Sequence, residues 1–191
     1  MKRRNTISDS KTRPDRRSIR MKHYDYSQSG FYLVTICVEK RQCVFGEICE
    51  DTMHINAVGQ IAQSMWESLP QRFSTVRLDS FVIMPNHVHG IIELREAEIP
   101  PDVASTISHA PARFQAHMGD EAIKKANPSL GQIVRTFKGA ATYEIRRADR
   151  PGFAWQGGYH ESVLRNEKAL EYAQRYIMNN PLTWLKDSLR I

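Results

Sequence analysis

The stretch Phe81-Val-Ile-Met-Pro-Asn-His-Val-His-Gly-Ile-Ile-Glu93 decides how this chain is read. Two apolar runs, Val76 to Met84 and His87 to Leu94, are separated only by Pro85-Asn86, and both of those residues suit a tight turn. The stretch therefore predicts an antiparallel hairpin. Alternate residues of a strand project to the same face, so His87 and His89 leave one side together while Val88 packs into the other. Adjacent parallel imidazoles are a natural half of a metal site. Two histidines on a solvated sheet face need no metal, however, so the meaning of the pair depends on the rest of the chain.

Upstream, Gly30-Phe-Tyr-Leu-Val-Thr-Ile-Cys-Val38 is rich in β-branched and aromatic residues and predicts a first strand. Residues 43–49 and 52–55 predict short strands around a turn at Glu50-Asp51. Asn56 is placed to cap a helix carrying Ile61, Met65, Trp66 and Leu69, ended by Pro70. Downstream of the hairpin, periodicity disappears between about residues 97 and 128 while proline and serine accumulate, which predicts a disordered insertion or a mobile lid. Ser129 caps a helix with one apolar stripe, Leu130, Ile133, Val134, Phe137, Ala141 and Ile145. Arg135, Lys138, Tyr143 and Arg146 fall away from that stripe. Arg135 and Lys138 are thus candidate contacts to a nucleic-acid backbone, although a basic outer face is usually just solvated. The segment from Phe153 to Leu164 predicts a turn and a last strand. Asn166 caps a final helix running to about Asn180, where Pro181 stops it. Helices alternating with hairpin-linked strands predict an α+β fold, with one antiparallel sheet covered by helices mainly on one face and the other face open for binding.

The chain has 191 residues, 41% of them hydrophobic, and a net charge of +6. That length suits one domain, expected at residues 23–191. Residues 1–22 hold nine Lys or Arg against Asp9 and Asp15, so the tail alone accounts for the positive charge and the remainder is nearly neutral. A flexible polycation attaches readily to a polyphosphate, because each neutralised phosphate releases counterions. Arg3, Arg4, Arg16, Arg17 and Arg20 are accordingly candidate nucleic-acid contacts, against the alternative of a solubilising leader. No run approaches a membrane span, and the basic N-terminus lacks the apolar core of a secretory signal. Cys37, Cys43 and Cys49 match no common zinc spacing and are expected to be reduced thiols of a cytoplasmic protein.

In the last helix Ala169, Tyr172, Ala173, Tyr176 and Asn180 lie along one stripe, so the Tyr176 phenol and the Asn180 amide address the same point. Read alone, the helix needs only a tyrosine packed on the sheet and an asparagine serving the helix end. Joined to the histidine pair, it suggests one site: His87, His89 and Asn180 as ligands of Mg²⁺ or Mn²⁺, with open positions for water and a phosphate oxygen. Tyr176 would be the nucleophile. A phenol is weak at neutral pH, and a cation that withdraws charge from a phosphodiester would make the electrophile reactive enough. The product, a phosphotyrosine ester, keeps the energy for rejoining, which fits strand transfer better than degradation. Tyr172 is the rival nucleophile but lies two turns from Asn180. His160 is a possible polar neighbour of the site, and His23, His54, His109 and His117 carry little weight.

The chain resembles the single-tyrosine HUH transposases, and within them the REP-associated tyrosine transposase branch. The resemblance rests on Tyr24-Asp-Tyr-Ser-Gln-Ser-Gly30, Val82-Ile-Met-Pro-Asn-His-Val-His-Gly90, Ser129-Leu-Gly-Gln-Ile-Val-Arg-Thr-Phe-Lys138, Trp155-Gln with Arg165-Asn, and Tyr176-Ile-Met-Asn-Asn-Pro181, and covers roughly residues 17–185. It implies His87 and His89 as the HUH pair, Tyr176 as the nucleophile and Asn180 as the third ligand, where some relatives carry Gln. It also implies a ferredoxin-like or RRM-like sheet with the HUH strand central. The implied activity is DNA transposition, by cleavage and joining of single-stranded DNA at hairpin-forming repeats through a 5′-phosphotyrosine link, by a monomer or a homodimer. Two other classes compete: a non-catalytic module that holds single strands on Phe31, Tyr32 and the basic tail, and a zinc hydrolase built on the same histidines.

Overall fold

The β-branched and aromatic run at Gly30–Cys37 forms strand β1, and the Glu50-Asp51 turn joins Gly46–Cys49 (β2) to Thr52–Ile55 (β3). Both turn residues adopt positive φ, 48° and 59°, as the tight turn of a hairpin requires. Asn56 then starts Ala57–Glu67 (α1): its side-chain oxygen accepts from the backbone N–H groups of Val58 and Gly59 at 2.9 and 3.1 Å. Pro70 does not follow the end of this helix but sits in the first turn of a separate short one, Leu69–Arg72 (α2), where its missing N–H costs nothing. Val76–Met84 (β4) and His87–Leu94 (β5) are joined by Pro85-Asn86 as the sequence predicts. This computed structural model describes residues 24–97, 101–109, 111 and 127–190. The basic tail, with Arg3, Arg4, Arg16, Arg17 and Arg20, lies outside the described residues, as does most of the 97–128 segment. Within that segment Pro101–His109 forms a helix, α3, where no regular element was expected.

Ser129 caps Leu130–Arg147 (α4) through a reciprocal pair with Gln132. After His160–Leu164 (β6), Asn166 accepts from the Ala169 N–H and opens Glu167–Asn179 (α5), and a 3₁₀ turn follows at Pro181–Lys186. The main sheet is antiparallel in the order β4-β5-β1-β6. With α1 between β1 and β4, and α4 between β5 and β6, this is the ferredoxin-like α+β arrangement, and the histidine strand is central.

Strand alternation gives the sheet two different faces. Tyr32, Val34 and Ile36 of β1 and Val88 and Ile92 of β5 join Trp66 of α1 and the whole apolar stripe of α4 in the main core. Phe31, Leu33, Val82, Ile91 and Leu164 face the other way, where Ala173 and Ile177 of α5 pack on them. Helices thus lie mainly on one face. The face expected to be open is crossed by α5, which brings a tyrosine helix directly over the histidine side.

Gly90 makes room for Trp66 on the core face. Trp66 stacks on Phe81, ring centroids 4.8 Å apart at 10°, and its indole occupies the space that a Cβ on Gly90 would need. Gly90→Ala is expected to destabilise the protein by about 1–3 kcal/mol, the cost of overpacking a filled core. Equilibrium denaturation checks this, and an unchanged midpoint would show that the Trp66 contact yields freely.

Candidate active site

Asn86, in the turn before β5, is fully buried because its side chain is used on both ends. Its amide nitrogen donates to the carbonyls of Arg41 and Leu189 at 3.0 and 2.8 Å. An amide whose NH₂ faces two carbonyls presents its oxygen elsewhere, and Oδ1 lies 2.7 Å from Nδ1 of His87. His87 therefore carries its proton on Nδ1 and keeps a lone pair on Nε2. Across the sheet, Thr35 pairs with His89 and places its hydroxyl 2.8 Å from Nδ1 of that ring. Each imidazole is thus held through Nδ1, and the two Nε2 atoms meet 3.0 Å apart.

A carboxylate completes the cluster. The 3₁₀ turn after α5 folds back over β5, burying Trp184 with its ring 6.1 Å from that of His87. Asp187 follows, with Oδ2 3.6 Å from Nε2 of His87 and Oδ1 accepting from the Leu189 N–H. Oδ2 of Asp187 is buried without a hydrogen-bond partner, and so is Oδ1 of Asn180. Orphaned buried oxygens are costly unless something cationic or protic meets them. Donor atoms of His87, His89 and Asp187 all lie within 4.8 Å of one another, the one such group among the described residues. Nitrogens 3.0 Å apart match two neighbouring ligands about 2.1 Å from one six-coordinate ion. The donor set accordingly fits a divalent cation.

α5 positions the tyrosine. Ala173 and Ile177 hold the helix on the sheet, and the Gln174 amide donates to both carboxylate oxygens of Asp79 at 3.0 and 3.1 Å. One turn along, the Tyr176 hydroxyl lies 3.3 Å from Nε2 of His89, with ring centroids 5.1 Å apart. Burial raises the phenol pKa above its ordinary value, a hydrogen bond with the Asn180 side chain pulls it down, and the Asp187 and Tyr172 charges push it up again.

The structure therefore brings Tyr176 to the His87 and His89 pair, and the Asn180 side chain to Tyr176. Tyr172 is exposed on the outer side of α5. Arg135 and Lys138 are not part of this cluster: they lie on α4, in the helix layer across the sheet. Lys138 donates to the carbonyls of Gln156 and Gly158 at 2.7 and 2.9 Å, which fixes a loop. His160 is exposed beside Thr35 at the sheet edge. Asp187 was missed by sequence reading. It lies beyond the Asn-Pro that ends the tyrosine helix, in a segment with no periodic signal, and only the fold-back reveals it.

No protein-family model matches the chain. In fold it is similar to a solved structure of a REP-associated tyrosine transposase bound to a REP hairpin, at TM-score 0.56 and 15% identity, covering 86% of this chain and 73% of that one. A solved transposase candidate from Deinococcus radiodurans overlaps more loosely, at TM-score 0.44 and 16% identity over 84% of this chain and 95% of that one. In sequence, a Haemophilus influenzae protein described only as uncharacterized is 39% identical over 176 residues, 92% of this chain and 93% of its own length. The chain belongs to the same family as that protein. No helix among the described residues is long and apolar enough to cross a membrane.

Burial lowers the pKa of His87 from 6.5 to about 4, helped by the Arg41 charge, and that of His89 to about 3, helped by His87 and opposed by Asp187. Both rings are neutral at pH 7. Below pH 6.5 the unfolded chain takes up protons that the folded one refuses, so stability is complete above pH 6.5 and falls as pH drops toward 4 and 3. Denaturation of the metal-free protein across that range should show a steep loss of stability, made shallower by His89→Gln. Equal slopes for the two proteins would mean that His89 is not held neutral by burial.

Proposed function

We propose that this protein is a metal-dependent tyrosine transposase, cutting and rejoining single-stranded DNA at hairpin-forming repeats. The observation that carries the reading is the Tyr176 hydroxyl 3.3 Å from Nε2 of His89, at the edge of a buried His-His-Asp cluster. Support also comes from the shared fold with a REP-associated tyrosine transposase. His87, His89 and Asn180, with Asp187, would hold Mg²⁺ or Mn²⁺. When bound, the cation withdraws charge from the scissile phosphate and steadies the crowded transition state.

The other steps belong to the side chains. Tyr176, kept protonated at neutral pH, attacks phosphorus through its phenolic oxygen; the new P–O bond to tyrosine forms as the P–O3′ bond breaks. The phenol gives up one proton and the departing 3′ oxygen takes one up, so the exchange is proton-neutral. A 5′-phosphotyrosine ester and a free 3′-hydroxyl result, and attack by a second 3′-hydroxyl reverses the chemistry onto a new end. α5 holds the phenol in place, and Asn86 and Thr35 keep both imidazole Nε2 atoms on the site.

Asp187 also favours a second reading, because two histidines and a carboxylate are a three-ligand zinc set for a hydrolase. The two differ in product. Incubation with hairpin-bearing single-stranded DNA and Mg²⁺ or Mn²⁺ should yield a denaturation-resistant protein–DNA adduct, abolished by Tyr176→Phe and retained by Tyr172→Phe. Cleavage without an adduct would establish the hydrolase, and binding without cleavage the non-catalytic module.

A further inference from the structure

A groove of about 1000 Å³ lies between the outer side of α4 and the loop at residues 154–159, in the helix layer across the sheet from the histidines. Arg135, Lys138, Arg146 and Arg147 line it. Lys138 is held by the Gln156 and Gly158 carbonyls, Arg146 donates to the Phe153 carbonyl at 3.0 Å and Arg147 pairs with Glu144 at 3.2 Å, while Arg135 is exposed at the groove surface. Three aromatic residues share the lining with these cations. Tyr143 is 63% exposed, with the Arg147 guanidinium 5.5 Å from its ring centroid, and Trp155 and Tyr159 form the far wall. Trp155 is buried, yet its indole N–H has no acceptor. Gly139 adds an independent sign. It sits in the interior of α4, where glycine weakens a helix, and a Cβ there would meet nothing within 4 Å. Packing therefore gives no reason for the missing side chain, whereas open space over the groove floor does.

Cations set beside an exposed ring, here Tyr143, are the chemistry of unpaired nucleotides, whose phosphates seek the charge and whose bases stack on the ring. A duplex offers only its phosphates. The groove also connects to the candidate site: the Gln156 N–H donates to the Cys37 carbonyl at the end of β1, and Cys37 is the residue paired with His87. We propose that this groove is a second DNA-binding site, which takes unpaired nucleotides of the strand on which Tyr176 acts and so selects single-stranded over duplex DNA. The proposal rests on the transposase reading for the identity of the strand, but not for the binding itself.

The test uses the full chain carrying Tyr176→Phe, so that binding is read without cleavage. A fluorescently labelled short single-stranded oligonucleotide is titrated by anisotropy, with a blunt duplex of the same sequence and polyglutamate as competitors. Gly139→Leu fills the groove without changing charge, and because leucine favours helix over glycine its melting temperature should hold or rise. Single-strand affinity should nevertheless fall about tenfold, as for loss of one stacked base, while duplex affinity changes little. Arg135→Gln should weaken the single strand as well and flatten its salt dependence. The proposal is overturned if both variants bind the single strand like their parent, if Gly139→Leu weakens duplex and single strand equally, or if polyglutamate displaces the oligonucleotide as well as unlabelled single strand does. An absent adduct in the chain that keeps Tyr176, with groove binding intact, would sink the transposase reading and leave the groove standing.

Discussion

The two-residue period of β5 is the constraint on which the rest of the molecule depends. Val88 and Ile92 are core residues on one face, and His87, His89 and Ile91 lie under α5 on the other. A slip of one residue would expose the imidazoles to the apolar core and the core residues to the tyrosine helix, so site and core enforce the same register. The Pro85-Asn86 turn sets that register at one end. Within the strand, Gly90 admits Trp66 against its core side. Asn86 joins these functions, since the residue that makes the turn also fixes the His87 tautomer and ties down the chain near its C-terminal end through Leu189.

The electrostatics of the site follow from this burial. Desolvation keeps both imidazoles neutral and their Nε2 atoms close together, which costs stability in acid but leaves ligands that need not lose a proton to bind a cation. The same burial keeps the Tyr176 phenol protonated, so in the proposed reaction it would need an activated electrophile. The two proposed sites lie apart in space, with the histidine nitrogens and the Asp187 carboxylate on the α5 face and the groove of arginines and aromatic residues across the sheet.

Much of this was legible in the sequence, for local reasons. Asn56, Ser129 and Asn166 announce helix starts because their side chains have one good use there, and structure and sequence agree on all three. The β4–β5 hairpin and the apolar stripe of α4 are periodic, and period survives folding. What could not be read was tertiary. Nothing in the spacing of Ala173 and Ile177 says on which face of the sheet α5 packs, and Asp187 acquires a role only because Trp184 is drawn into a buried position over His87. The helix at Pro101–His109 was hidden by the prolines and serines around it. Lys138 looked like a free cation on an outer face, but two backbone carbonyls from a loop distant in sequence claim its ammonium group.

The central claim is that the two imidazole Nε2 atoms share one cation beside Tyr176. Pulsed electron paramagnetic resonance on the Mn²⁺-loaded protein reads the ligand nitrogens directly. The account predicts couplings from two imidazole nitrogens, one of which disappears in His87→Gln and the other in His89→Gln. Mn²⁺ that binds with no nitrogen coupling, or with couplings indifferent to both substitutions, would contradict it.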